Sequence, residues 1–201
     1  MKWMLSANKK TGNMFNKDAF SNGQIDSKLW LCEELEKLGW QSDLTRIFGG
    51  WYGVTAFLLL SRGKFQVRKI YSYDVDPSCE AIADMINENW VIKEWQFKAF
   101  TEDCNNPRLS QTTEYDSGIL DLIINTSTEH FESMDWFDNI PTGTRVILQG
   151  NNMPHDDHIV HTTTLDEFIA HYPLSGIMYK GEKLFVYPEW QFTRYMIIGV
   201  K

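Results

Sequence analysis

The sequence predicts an α/β protein, with a mostly parallel sheet covered by helices on both faces. Three observations carry this prediction. Arg46–Leu60 followed by Lys69–Pro77 reads as a strand, a glycine turn, an apolar helix and a second strand with an acid at its tip. Leu120–Asn125 is apolar enough for a strand buried on both faces. Strands and helices alternate through five strands, and two late strands follow with no convincing helix between them, so the final strand is expected to run antiparallel to its neighbour.

Taken in order, residues 1 to about 25 are polar and rich in Asn, Lys, Gly and Ser, as in an irregular arm. Leu31, Leu35 and Leu38 share a helical face; with Asp26 or Ser27 as cap and Gly39 as stop, they predict a helix over 27–38. The first strand is Thr45–Phe48, the turn is Gly49–Gly53, the helix Val54–Leu60 ends near Gly63, and the second strand is Lys69–Tyr73. Asp76-Pro77 has the form of a helix start, with the carboxylate as cap, and Ala81, Ile82, Met85 and Ile86 supply a buried stripe up to about Asn89. Gln96–Phe100, Leu120–Asn125 and Arg145–Gln149 are strands three to five. Thr164 to Glu167 fits a capping box opening a helix to about Tyr172, and Gly176–Lys180 and Tyr195–Val200 close the sheet across a loop containing Gly181 and Pro188.

The 201 residues suit one such domain, and 43% hydrophobic content with eight tryptophans marks a globular chain. The net charge of −8 argues against a protein whose main task is to neutralise phosphates, and so favours a small molecule as partner. A local basic patch is compatible with that average, so nucleic acid stays open. Three widely spaced cysteines give neither a metal pair nor a disulfide framework, and no apolar run reaches membrane-spanning length; a cytoplasmic, soluble protein is expected.

An acid about 20 residues beyond a glycine turn is the geometry by which a β-α-β unit holds an adenosine-type ligand, and Asp74 meets it, leaving Asp76 as the cap. Trp51 and Tyr52 put bulk where a dinucleotide pyrophosphate needs glycine, whereas a sulfonium carries no phosphate and is attracted to aromatic faces. Trp51 can equally pack against the sheet.

These residues resemble the class I S-adenosylmethionine-dependent methyltransferases, over residues 45–200. The resemblance implies a Rossmann-like seven-stranded sheet with an antiparallel last strand, S-adenosyl-L-methionine as cofactor, and methyl transfer to an unidentified acceptor, which the net charge favours as a small molecule. It places Gly49, Gly50 and Gly53 at the methionine part of the cofactor, Asp74 at the ribose, Asp103 at the adenine with Glu102 as rival, and Asn125 beside the transfer site; Trp51 and Val75, next to these, are also expected to touch the cofactor. The usual acid before the first glycine is missing, as is the asparagine-proline-proline-tyrosine motif of nucleic-acid amino methylases. Residues 1–40 are expected to form a lid over a methyltransferase domain of residues 41–201.

Past the fourth strand, Glu129 and His130 are the candidate catalytic base, since carboxyl ends of parallel strands face the ligand crevice; a helix-start carboxylate and a surface histidine is the bland alternative. Asn151 and Asn152 follow strand five and are candidate substrate contacts. His155, Asp156, Asp157, His158 and His161 have metal-ligand chemistry, but Pro154 and the paired acids suit a solvated or substrate-facing turn, so no metal is expected. Trp136, Trp190 and Tyr187 can wall an acceptor pocket or join the core, and Arg194 can anchor an anionic substrate, although a solvated arginine is the expectation. Two other functions fit the same β-α-β unit, an NAD(P)-dependent oxidoreductase and a non-catalytic module that binds S-adenosylmethionine.

Overall fold

The computed structural model describes residues 16–92, 95–113, 118–188 and 191–201. Residues 1–15 of the expected arm, and Trp190, lie outside them. A 3₁₀ turn at Lys17–Phe20 leads into helix α1 (Asn22–Leu38), followed by β1 (Gln41–Phe48), α2 (Val54–Arg62), β2 (Gln66–Asp74), α3 (Cys79–Ile86), α4 (Glu88–Ile92) and β3 (Phe97–Thr101). Beyond a turn at Pro107–Ser110 come β4 (Leu120–Asn125), a turn at Thr128–His130, α5 (Asp135–Asp138), β5 (Arg145–Asn151), α6 (Leu165–His171), β6 (Gly176–Val186) and β7 (Gln191–Val200).

The strands form one seven-stranded sheet in the order β3-β2-β1-β4-β5-β7-β6. Strands β1 to β5 pair in parallel, and β7 runs antiparallel to both β5 and β6, as the sequence predicted. The order reverses between β1 and β4, so the loops leaving these two strands diverge and open a crevice at their carboxyl ends.

Side-chain alternation makes two cores from one sheet. Ile147, Met196 and Ile198 face Leu31 and Leu35 of α1 and Leu59 of α2. Val146, Leu148, Tyr195 and Ile197 face Trp136 and Phe137 of α5 and Phe168 of α6. Trp136, fully buried among Phe48, Phe131 and Tyr172, is therefore a core residue and not the wall of an acceptor pocket.

Element boundaries differ from expectation for local reasons. Helix α1 starts at Asn22 because the Ser21 hydroxyl accepts from the Gln24 amide, which leaves Asp26 and Ser27 inside the helix. Asp76 is not the cap expected of it: its side chain accepts from the Ser78 amide at 2.8 Å in a turn ahead of the helix, and Ser78 is the N-cap of α3, which opens only at Cys79. The stripe expected to run to Asn89 breaks at buried Asn87, whose side chain donates to the carbonyls of Gly53 and Ala83. Glu167 reaches the Thr163 amide, one residue beyond a regular capping box. Gly181 lies within β6, paired with Met196, because the closing hairpin is longer than its apolar residues suggested.

The glycine turn is fixed by packing. A Cβ on Gly50 would stand 1.9 Å from Ser72 Oγ and 3.2 Å from Ser72 Cβ, and the Gly50 amide donates to the Tyr73 carbonyl at 3.0 Å. Gly50→Ala should lower stability by about 1–3 kcal/mol through this overlap. Adding Ser72→Ala should recover part of the loss in chemical denaturation; strictly additive effects would place the constraint elsewhere.

Candidate functional site

A cavity of about 770 Å³ occupies the crevice, a volume ordinary for small-molecule sites. Gly49, Gly50 and Trp51 after β1, Asp74 and Val75 at the tip of β2, and Asp103 after β3 form one wall. Glu129 and His130 after β4, Asn151 at the end of β5, and Arg194 from the start of antiparallel β7 form the other. Gln24 and Lys28 of α1 roof it, with Asn16 and Asp18 from the preceding turn. A depression of similar size, about 700 Å³, lies at the opposite edge of the sheet around Asp43, Arg68 and Asp121. Its charges are paired as Asp43 with Arg68 and Asp121 with Arg145, which leaves it a solvated rim.

On the first wall the Asp74 carboxylate organises the glycine loop. Its Oδ2 accepts from the Trp51 amide at 2.8 Å and its Oδ1 from the Asp76 amide at 3.0 Å. Trp51 is held at φ 48°, a left-handed conformation uncommon for a bulky residue, and strain of this kind gathers where a loop must hold one shape for a ligand. Its ring lies against Tyr52 at 5.1 Å, in a small cluster with Cys79 and Ile82. Burial pushes the Asp74 carboxyl above the usual range, opposed by those two amides. Asp103 Oδ1 is fixed by the amide and side chain of Asn105, whereas Glu102 turns away to Arg108 at 3.2 Å.

The second wall holds buried charge. Glu129 is 4% exposed; its Oε1 accepts from Asn151 Nδ2 and lies 4.0 Å from Arg194 Nη1, while Oε2 has no partner among the described residues. Arg194, expected to be solvated, is instead 5% exposed and donates to the Thr126 carbonyl at 3.3 Å. It reaches inward because β7 begins earlier than its apolar run and places Arg194 opposite Asn151. Lys28 is also buried, with Nζ 2.5 Å from Gln24 Oε1. Burial, and then the charge of Arg194, lower the Lys28 ammonium to about 7 against the opposing pull of Glu129.

The loop after β5 folds back onto this wall. The Ile159 and Val160 amides both donate to the Glu129 carbonyl, at 2.8 and 3.0 Å. His158 is thereby turned inward beside His130, with ring centroids 4.9 Å apart. Glu129, His130 and His158 each offer a ligand atom within 4.8 Å of the others, although the sequence led to the expectation of no metal group. His155 lines the cavity and His161 is exposed outside it.

Of the predicted site residues, Gly49, Gly50, Trp51, Asp74, Val75, Asp103, Glu129, His130 and Asn151 meet at the cavity. Gly53, Asn125 and Asn152 do not line it. Gly53 is needed because a Cβ would stand 2.7 Å from Asn87 Nδ2, and Asn125 is fully buried with Oδ1 on the Ser127 amide. Asn152 is exposed; its amide donates to the Thr193 carbonyl and its side-chain Oδ1 accepts from the Thr193 amide, which extends the β5–β7 ladder. Asn151 holds Glu129 with its amide group and the Met153 amide with its oxygen, so it positions the carboxylate. Lys28 escaped the sequence reading although it carried a signal, a lysine in register with Leu31 and Leu35 on an inward helix face. His158 also carried a signal, the metal-ligand chemistry of the His155–His161 stretch, although that stretch reads as a turn. Arg194 reads as a substrate anchor or a solvated arginine, because no local pattern shows that the fold buries it.

No family model matches the chain, and no curated protein matches it in sequence. Solved structures do match. The N-methyltransferase NodS from Bradyrhizobium japonicum WM9, solved with S-adenosyl-L-homocysteine, gives a TM-score of 0.65 at 10% identity over 99% of this chain and 99% of that one. The fold is that of the S-adenosylmethionine-dependent methyltransferases. The magnesium protoporphyrin IX methyltransferase from Synechocystis PCC 6803 gives 0.62 at 11% identity over 97% of this chain and 90% of that one. Geranyl diphosphate C-methyltransferase from Streptomyces coelicolor A3(2) gives 0.60 at 10% identity over 100% and 98%. At such identities the likeness is one of methyltransferase fold, and the chemistry of this site has to be argued from its own residues.

The roof makes a prediction of its own. Lys28 titrates near 7 in the folded protein and at 10.5 when unfolded, so between these values the unfolded chain binds more protons and stability rises with pH. Below pH 7 the full cost of the buried ammonium is present. Lys28→Met should therefore stabilise the protein by about 2–4 kcal/mol at pH 6, with the gain fading towards pH 10, in denaturant titrations at a series of pH values. A gain independent of pH would show that the lysine is not buried as a charge.

Proposed function

We propose that this protein is an S-adenosylmethionine-dependent methyltransferase acting on a small-molecule acceptor, with the β3–β2–β1 wall holding the cofactor and the β4–β5–β7 wall the acceptor. The observation that carries the cofactor reading is how the 49–53 loop uses its amides. Those of Gly50, Trp51 and Gly53 are committed to Tyr73, Asp74 and Gly50, so these three are not donors for a pyrophosphate. This disfavours NAD(P) and suits a nucleoside without phosphate. The Asp74 carboxylate has one amide on each oxygen and, with about four lone-pair sites, keeps capacity for the two hydroxyls of a ribose. Val75, 72% exposed at the rim, supplies an apolar edge for an adenine, and Asp103 an acceptor for its amino group.

When bound, S-adenosylmethionine supplies an electrophilic methyl group. Trp51 and Phe131 offer aromatic faces to its positive charge. Most of the catalysis can come from holding the acceptor in line with that methyl group. Arg194 and Lys28 give the acceptor half its positive potential, and Glu129 with His130 are the groups able to take a proton from a hydroxyl or an ammonium. The thiols cannot serve as nucleophiles at neutral pH, since burial pushes Cys32 and Cys104 up to about 12 and Cys79 in the same direction. Asn16, Asp18, Gln24 and Lys28 on the cavity support reading residues 1–40 as a lid over the 41–201 domain. Three free, buried cysteines fit a reducing cytoplasm, and no helix of the described residues is long and apolar enough to cross a membrane.

The first test is calorimetric titration with S-adenosylmethionine, S-adenosylhomocysteine and NADPH in parallel, with micromolar binding of the two sulfur nucleotides alone as the expected outcome. Binding of NADPH alone would make the protein an oxidoreductase. Asp74→Ala should weaken S-adenosylhomocysteine by about 1–3 kcal/mol, as for a lost hydrogen bond to a charged group. Asp76→Ala should leave that affinity unchanged and lower stability by about 1 kcal/mol through loss of the turn hydrogen bond to the Ser78 amide. Unaltered affinity in the Asp74 variant would remove the ribose assignment.

A further inference from the structure

We propose that Glu129, His130 and His158 bind one divalent transition-metal ion, of the Zn²⁺, Mn²⁺ or Fe²⁺ class, and that its remaining coordination positions open onto the acceptor half of the cavity. The three ligand atoms converge to within 4.8 Å of one another, drawn from two loops that follow different strands. Two imidazoles and one carboxylate form a set that selects these metals over Mg²⁺ or Ca²⁺, which prefer oxygen alone. Three protein ligands also leave positions for water or substrate.

The hydrogen bonding around the trio is that of ligands already oriented. His130 Nδ1 lies 3.0 Å from the Asp157 carbonyl and His158 Nδ1 lies 2.8 Å from the Met153 carbonyl. A carbonyl can only accept, so Nδ1 carries a proton on both rings, and in the neutral imidazole the lone pair is then on Nε2. A backbone carbonyl on the far nitrogen is the arrangement that fixes tautomer and ring direction in metal-binding histidines. The loop supplying both carbonyls is anchored on Glu129 itself through the Ile159 and Val160 amides, so carboxylate and imidazoles are held in one register.

Glu129 provides the independent observation. It is 4% exposed, and Oε2 has no hydrogen-bond partner among the described residues, while Asn151 and Arg194 both address Oε1. A buried acceptor without a donor is costly, and a cation at Oε2 would relieve that cost. The nearby cations do not block the position. Arg194 Nη1 is 4.0 Å away on the Oε1 side and is engaged by the Thr126 carbonyl, and Lys28 is tied to Gln24.

Metal binding stands apart from the methyltransferase reading, but the role of the metal rests on it. An acceptor hydroxyl placed on the ion loses its proton to solvent more readily, and its oxygen then bonds to the methyl carbon as the carbon–sulfur bond breaks, with that electron pair passing to sulfur. The acceptor would then be a molecule with a hydroxyl or amine able to ligate the metal, and Glu129 and His130 would act as ligands in place of a base.

The test uses the full chain, freed of metal with a chelator and titrated with Zn²⁺ by calorimetry and with Co²⁺ by visible absorption, S-adenosylhomocysteine affinity being measured on the same samples. The expected result is one equivalent of Zn²⁺, weakened about tenfold or more in His130→Ala and in His158→Ala, with affinity in exposed His161→Ala unchanged. His130 is exposed, so its variant decides the matter if His158→Ala fails to fold. Absence of Zn²⁺ and Co²⁺ binding by a sample that binds S-adenosylhomocysteine would overturn the metal site alone, as would unchanged Zn²⁺ affinity in His130→Ala. Zn²⁺ binding lost in the histidine variants, in protein that takes up no S-adenosylhomocysteine, would uphold the site and overturn the methyltransferase reading.

Discussion

The buried carboxylate of Glu129 is the constraint on which the β4–β5–β7 wall of the cavity depends. A carboxylate withdrawn from water must be compensated, and removing one partner of such a group costs about 3–5 kcal/mol. Compensation here comes from several segments: Asn151 from β5, Arg194 from β7 at 4.0 Å, and the field of Lys28 from α1. The backbone of the same residue takes the Ile159 and Val160 amides, so the loop after β5 is tied down at that point. Satisfying one charge thus sets the relative positions of two strands, the roof helix and the histidine loop.

The opposite wall follows a similar logic with a different acid. Asp74 accepts the Trp51 amide and so holds the glycine loop in a left-handed step that its sequence does not favour. Gly50 and Gly53 are then required by the neighbours Ser72 and Asn87, and only secondarily by any ligand. A loop that meets its own hydrogen-bonding needs presents a carboxylate and aromatic faces to the crevice in place of a row of amides. That difference separates a nucleoside-sulfonium site from a dinucleotide site built on the same β-α-β unit.

Charge is distributed against the average. The chain is acidic overall, at −8, yet two buried cavity cations, Lys28 and Arg194, sit near Glu129 and balance it. Net charge speaks to surface and partners; the pocket is decided by the few groups that the fold withdraws from water.

By itself the sequence determined the fold class, the strand order along the chain, the glycine turn with Asp74 at the next strand's tip, and the carboxyl-end placement of Glu129 and His130. These are readable because they depend on local periodicity and short spacings along one β-α-β unit. The tertiary structure alone decided that Arg194 is buried, that Asn152 extends a ladder while Asn151 positions Glu129, and that His158 joins Glu129 and His130. Each of these depends on which strands become neighbours: the antiparallel insertion of β7 beside β5 brings Arg194 opposite Asn151. Lys28 falls between the two cases, visible as a charge on an apolar helix face but given meaning only by the carboxylate across the cavity. Spacing along the chain carries no record of contacts made across a sheet's switch point.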